Sequence, residues 1–236
     1  MRNQMVFKRY ELKYLLTREQ AEVIKERMAQ HMVADIHGRN TIFSLYYDTP
    51  DFLLARRSME KPVYKEKLRL RSYGVAKPDT EVFVEIKKKY KGVVYKRRIS
   101  MAKEESDRYL LLGEQVQDNQ ISREIDFFIK RYGNLAPKVL LSYEREAYYA
   151  KDNHEFRVTF DENILWRKED MDLEKGVYGE AILPENMALM EVKTADAIPL
   201  WFVEILSQLK IYKTSFSKYG NAYKTIYERE KEAKIG

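Results

Sequence analysis

Lys67-Leu68-Arg69-Leu70-Arg71 and, further along, Val82-Phe83-Val84-Glu85-Ile86-Lys87 are the stretches whose reading decides the fold. In a β-strand successive side chains point to opposite faces, so residues i and i+2 sit about 7 Å apart on one side. Leu68 and Leu70 then share one face while Lys67, Arg69 and Arg71 share the other, and Val82, Val84 and Ile86 oppose Glu85 and Lys87. The same division recurs along the chain. Tyr10, Leu12 and Tyr14 oppose Arg9, Glu11 and Lys13; Phe156, Val158 and Phe160 oppose Arg157, Thr159 and Asp161; Met190 and Val192 oppose Glu191 and Lys193. Taken singly, such a strand turns its charges to water and its apolar side to a core.

Two features reverse that orientation here. The chain carries several amphipathic helical segments that need an apolar surface to cover, so the apolar strand faces can lie under helices and leave the charged faces to line a barrel. The charged faces also repeat a mixture, with a carboxylate two residues before a lysine in Glu11-Leu12-Lys13, Glu85-Ile86-Lys87 and Glu191-Val192-Lys193, which a solvated face has no reason to do. Lys13, Lys67, Arg69, Arg71, Lys87, Lys96, Arg98, Arg145, Arg157 and Lys193 stand there against Glu11, Glu85, Asp161 and Glu191. Converging inside a barrel, that excess of cations needs an anionic ligand to offset its desolvation. Arginine forks bind phosphate oxygens bidentately, and carboxylates hold Mg²⁺ or Mn²⁺, which bridge phosphates.

Periodicity predicts strands at about 5–14, 41–48, 63–72, 81–90, 93–100, 138–150, 154–161 and 187–194, and helices at about 18–32, 51–59, 102–112, 120–131, 199–209 and 216–231. Thr17 and Gln20 form a capping-box pattern, and Gly113 and Gly133 are helix stops. Lys91-Gly92 and Asp152-Asn153 are hairpin signals that argue for antiparallel neighbours, arranged as a meander with helices outside. The expectation is an α+β fold, an antiparallel eight-stranded β-barrel, formed by residues 1–236 as a single domain. The net charge of +6 favours acidic partners. The absence of cysteine removes disulfides and thiolate metal sites. No apolar run reaches the roughly 18 residues of a membrane span, and the expected location is the cytoplasm. Glycine-rich nucleotide cradles are absent, and His31, His37 and His154 lack metal-ligand spacing.

In order and number, these motifs resemble the triphosphate tunnel metalloenzymes (the CYTH-like superfamily), and within them the polyphosphate-polymerase domain of the vacuolar transporter chaperone, VTC, family. The resemblance runs from Arg9-Tyr10-Glu11-Leu12-Lys13-Tyr14 through Tyr46-Tyr47-Asp48-Thr49, Lys67-Leu68-Arg69-Leu70-Arg71, Glu85-Ile86-Lys87, Tyr95-Lys96-Arg97-Arg98, Tyr143-Glu144-Arg145 and Arg157-Val158-Thr159-Phe160-Asp161 to Glu191-Val192-Lys193 and Ser217-Lys218-Tyr219. It implies a triphosphate tunnel that takes ATP and inorganic polyphosphate and transfers the γ-phosphoryl group to the growing chain. Carried over by position, Lys13, Arg69, Arg71, Lys87, Arg145 and Glu191 would be catalytic. Lys96, Arg98, Tyr143, Arg157, Lys193, Ser217 and Lys218 would bind substrate, and Glu191 with Glu11 would hold Mn²⁺ or Mg²⁺. Arg9 stands where the wider superfamily's Glu-x-Glu-x-Lys pattern has its first glutamate, which leans away from hydrolysis. Transport into a compartment would need a separate membrane-protein partner.

The competing readings are a metal-dependent triphosphatase or cyclase-like activity in the same tunnel, and a non-catalytic polyphosphate or inositol-phosphate sensor. Nucleic acid is not an expected partner, because by parity most aromatic residues fall opposite the basic ones, where they pack a core. The stripe Trp201, Phe202, Ile205, Leu206 and Leu209 is read as core rather than as a docking helix.

Overall fold

The computed structural model describes residues 10–234. In chain order its elements are β1 (Tyr10–Thr17), α1 (Arg18–Met28), β2 (Met32–Ala34), β3 (Asn40–Asp48), α2 (Leu53–Met59), β4 (Tyr64–Tyr73), β5 (Glu81–Tyr90), β6 (Val93–Ala102), α3 (Lys103–Asp107), a π-helical turn (Arg108–Leu112), α4 (Gln120–Tyr132), β7 (Ala136–Ala150), β8 (Arg157–Arg167), β9 (Glu180–Ala181), β10 (Met187–Thr194), α5 (Leu200–Gln208) and α6 (Lys218–Glu232). The architecture is the expected antiparallel α+β one. Eight strands neighbour one another in the order β1-β10-β8-β7-β3-β4-β5-β6, while short β2 and β9 attach to β7 and β8. The part of the first expected strand before Tyr10, including Arg9, lies outside the described residues.

Only β3 to β6 form a consecutive meander; β1 pairs with β10 and β3 with β7, so the simple meander expected from the hairpins is corrected. Strands from the two ends of the chain meet because their apolar faces share one cluster. Tyr14, Phe156, Val158, Phe160, Met190 and Val192 are buried under Ala21, Ile24 and Met28 of α1 and Phe202, Ile205 and Leu206 of α5. Leu68, Leu70, Val82, Val84 and Ile86 are buried likewise with Leu54 of α2 and with Ile125 and Phe128 of α4. Among the described residues no backbone ladder joins β6 to β1, and the two flanks of the sheet are bridged by side chains instead, Lys87 of β5 donating to Glu11 of β1 at 2.9 Å.

Local signals are realised closely. Thr17 and Gln20 exchange reciprocal hydrogen bonds at 3.1 and 3.0 Å. Lys91 and Gly92 both take positive φ, 46° and 86°, as a two-residue hairpin turn requires, with Tyr90 opposite Val93. Three readings are corrected. The first helix stops at Met28, and Met32 opens β2. The segment at 102–112 is α3 followed by the π-helical turn, ended by Gly113 at φ 73°. Strand β8 continues to Arg167, and Asn163, at φ 48°, is a bulge that flips the alternation, so that Ile164 and Trp166 follow Asp161 on the inner side.

Helix α6 is the exception to helices packing outside. Its Tyr219, Ala222, Tyr223 and Ile226 pack on Tyr46, Val139, Leu141 and Trp166, which share the inward parity, so its N-terminus enters the sheet's concave side. Asp48 fixes this seat. Fully buried at the end of β3, it accepts from the backbone of Thr49, Leu54 and Ala55 at 2.8, 2.9 and 2.9 Å, capping α2, and from the Tyr219 hydroxyl at 2.7 Å. Asp48→Ala strands several buried donors, each costing about 1–3 kcal/mol. The urea midpoint of that variant is expected to fall sharply, and an unchanged midpoint would show that α2 and α6 do not depend on this carboxylate.

Candidate functional site

All eight strands of the main path and the segment 213–221 line one cavity of about 1510 Å³. Every residue singled out from the sequence as a site residue lies on it: Glu11, Lys13, Arg69, Arg71, Lys87, Lys96, Arg98, Tyr143, Arg145, Arg157, Glu191, Lys193, Ser217 and Lys218. Lys67 lines it too, and Glu85 and Asp161 lie buried directly behind its arginines. The apolar helix-covered faces and this charged interior are two sides of the same strands.

Most of the cations are held by carboxylates. Arg145 grips Asp161 with two hydrogen bonds, 2.5 and 2.6 Å, and reaches Glu191 at 3.2 Å; Lys218 bonds Asp161 and lies 3.4 Å from Glu191. Lys13 sits 3.3 Å from both Glu11 and Glu191 and donates to the Phe216 carbonyl at 2.9 Å, tying β1 to the approach of α6. Lys193 is 3.6 Å from Glu191. Arg69 meets Glu85 at 2.8 Å, and Lys96 pairs with the other oxygen of the same carboxylate. Burial alone would keep Glu11, Glu85, Asp161 and Glu191 protonated, but neighbouring cations overcome it and hold all four carboxyls below their ordinary values.

Two cations are different. Among the described residues Arg71, almost wholly buried, makes no ion pair within 4 Å and donates only to hydroxyls, Ser44 at 3.3 Å and Tyr143 at 3.0 Å. Lys67 bonds the Ser217 hydroxyl at 3.1 Å and lies over the Tyr219 ring at 5.5 Å, again with no carboxylate within 4 Å among the described residues. Burial pushes the Lys67 ammonium down to about 8, with Lys13, Lys87 and Lys65 adding to the fall against Tyr46. Burial likewise takes Lys193 to about 8 and Lys96 to about 7, in spite of Glu191 and Glu85 respectively. Lys13 and Lys218, each set between two carboxylates, move the other way, so the shortage of negative charge is local to Lys67, Lys96 and Lys193.

The peripheral positions are less converged. Arg98 is exposed and stacks over Phe83 at 4.5 Å. Arg157 is drawn to Asp35 at 3.3 Å and over the Tyr149 ring at 4.8 Å. The sequence reading missed Asp35, Ser44 and Phe216. Asp35 follows β2, a three-residue strand with no periodic signal; Ser44 is a small polar residue in an otherwise apolar run; Phe216 contributes only a carbonyl.

The sequence matches the VTC domain over residues 8–227. The chain belongs to the VTC domain family. No curated protein matches it. Among solved structures, this VTC domain is similar to a proposed adenylate cyclase from Bacillus halodurans, at 14% identity and TM-score 0.56, covering 91% of this chain and 96% of that one. Another proposed adenylate cyclase, from Vibrio parahaemolyticus, aligns at 10% identity and TM-score 0.49 over 92% and 99% of the two chains. The Mimivirus capping enzyme triphosphatase aligns at 11% identity and TM-score 0.37 over 85% and 86%. The Bacillus likeness shows a shared fold. Among the described residues no helix of this VTC domain is long and apolar enough to cross a membrane.

Lys67, Lys96, Lys193 and Tyr46 all bind protons less tightly in the folded chain than their ordinary values of about 10. Between about pH 7 and that value these four groups therefore hold more protons in the unfolded chain, and their contribution to the stability of the ligand-free VTC domain rises with pH, while Lys13 and Lys218, shifted upward, act only at higher pH. Thermal midpoints are expected to climb from about pH 7 to about 9.5. Tripolyphosphate, which draws those protons back, should raise the midpoint more at the lower end of that range. A midpoint falling across it would contradict an uncompensated cationic interior.

Proposed function

We propose that the VTC domain is a metal-dependent polyphosphate polymerase, transferring the γ-phosphoryl group of ATP to the end of a polyphosphate chain held in the tunnel. The observation that carries this reading is the carboxylate-free pair Lys67 and Arg71, each held by hydroxyls, Ser217 for Lys67, Ser44 and Tyr143 for Arg71, that keep a proton to donate. Phosphate oxygens supply the charge and the acceptors that this pole lacks. Around it, Lys13, Arg69, Lys87, Arg145, Lys193 and Lys218 are already positioned by Glu11, Glu85, Asp161 and Glu191, which suits a reaction in which positioning and charge neutralisation do most of the work. In the transfer, the bond from the γ-phosphorus to the ADP oxygen breaks and one to a terminal oxygen of the polymer forms; ADP leaves as the chain lengthens by one phosphate.

Among the described residues no three acidic or imidazole groups converge to hold a metal by themselves. The donor set fits an ion that arrives on phosphates. Mg²⁺ and Mn²⁺ take oxygen ligands and commonly use one or two carboxylates beside substrate phosphates. Glu191 and Glu11 face each other's lysines on the cavity wall, apart from Asp35, Glu66 and Glu81 elsewhere on it, and the buried Thr159 hydroxyl, which has no hydrogen-bond partner among the described residues, sits opposite Glu191 in the ladder. Bound there, the ion would neutralise charge on the transferring group.

Purified protein incubated with ATP and Mn²⁺, with and without a short polyphosphate primer, is expected to accumulate ADP and long polyphosphate on a gel, and Glu191→Gln to abolish both. Free phosphate without polymer would favour the triphosphatase reading. Tight polyphosphate binding without turnover would favour a sensor. Arg71→Met is expected to weaken tripolyphosphate binding about tenfold or more by calorimetry.

A further inference from the structure

Tyr46 belongs to none of the roles above, yet it lies on the cavity with only 8% of its surface exposed. Its ring stacks on Tyr219 of α6, centroids 4.5 Å apart and planes 4° from parallel, and Tyr219 is pinned in turn by Asp48. The phenolic oxygen accepts from Arg69 at 3.1 Å. Among the described residues no group accepts the phenolic proton, so the cavity is where an O–H can point. The groups that face the phenol are Lys67, Arg69 and Arg71 from β4 and Tyr219 from α6, with Glu85 of β5 behind Arg69. Three cations thus surround one hydroxyl, and two of them are the carboxylate-free pair.

We propose that the Tyr46 hydroxyl is a proton-exchanging phosphate ligand: as a phenolate it balances the β4 cations of the ligand-free tunnel, and on phosphate binding it takes a proton from solvent and donates that O–H to a phosphate oxygen. No other co-reactant is needed. Burial works against ionisation of Tyr46, but Arg69, Lys67 and Arg71 outweigh it and bring the phenol down to about 7. Tyr47, Tyr109 and Tyr219 move the other way because burial is not offset. An incoming phosphate brings the negative charge that the phenolate had been supplying, so holding both anions is unfavourable and the proton returns. The inference rests on the phosphate-binding reading of the tunnel.

The test uses the full chain and inorganic tripolyphosphate. In the ultraviolet, the ligand-free protein is expected to show one tyrosinate forming near neutral pH, lost when tripolyphosphate is added and absent from Tyr46→Phe. That variant keeps the ring and its stack on Tyr219, and the titration of the unaltered protein needs no variant. By calorimetry, Tyr46→Phe is expected to bind tripolyphosphate about tenfold more weakly below neutral pH, where the phenol can donate. Above about pH 8.5 the gap should close or invert, because the variant has no phenolate to neutralise. A tyrosinate signal that does not respond to tripolyphosphate, or an affinity ratio constant with pH, would overturn the role of Tyr46 and leave phosphate binding standing. Failure of the unaltered protein to bind tripolyphosphate would overturn the phosphate reading and this inference with it.

Discussion

Burying several ammonium and guanidinium groups in one cavity without matching carboxylates is the constraint on which the rest of the structure depends. Each charge removed from water costs several kcal/mol unless it is paired. The fold manages this by splitting the cations. Glu11, Glu85, Asp161 and Glu191 hold most of them through short, shared contacts, with Glu191 alone in reach of Lys13, Arg145, Lys193 and Lys218. Lys67 and Arg71 are left with hydroxyls. The carboxylates therefore act as props that keep the cationic side chains extended toward the cavity before a ligand arrives, which reduces the reorganisation needed on binding.

Such an interior cannot hold a sheet together, so cohesion comes from the other face of the same strands. Leu68, Leu70, Val82, Val84 and Ile86 are buried to within 1% on the outer side, as are Phe156, Val158, Phe160, Met190 and Val192, and the helices that cover them supply the apolar contact that the inside lacks. This explains why strands far apart in sequence are neighbours: β1 and β10 share both a helix-covered outer cluster and an inner run of opposite charges, with Lys13 directly facing Glu191 in the ladder. Inside, the bulge at Asn163 ends the charged surface, and Ile164 joins Leu189, Tyr143 and Ile42 in a small apolar floor.

The alternation that positions the tunnel was legible because it has period two and repeats in strand after strand, with Leu68 and Leu70 buried and Lys67, Arg69 and Arg71 on the cavity as parity required. Legibility failed where a local event broke the period or where the partner was distant. A single residue at positive φ, Asn163, turns Ile164 and Trp166 inward, and Asn in that conformation is common enough in ordinary loops to leave no signal. An amphipathic helix presents the same pattern whether it covers the outside of a sheet or seats against its inside, so the inward position of α6 was not visible in Tyr219, Ala222, Tyr223 and Ile226. The pairing of Arg157 with Asp35 depends on a loop brought in by β2 and could not be read from either segment alone.

The placement of α6 links stability to the site. Asp48 caps α2 and anchors Tyr219; Tyr219 stacks on Tyr46 and lies beneath Lys67; Ser217, the residue that caps α6, accepts from both Lys67 and the Gly220 backbone. The helix N-terminus adds a partial positive charge where Lys67 and Lys218 already gather. Favourable packing on one side of α6 thus holds Lys67, which has only a hydroxyl and a ring for partners among the described residues, at an electrostatic cost on the other. A mutation that loosened the apolar seat at Ala222 or Ile226 would let Lys67 and Lys218 retreat toward water and dismantle the cationic cluster without altering either lysine.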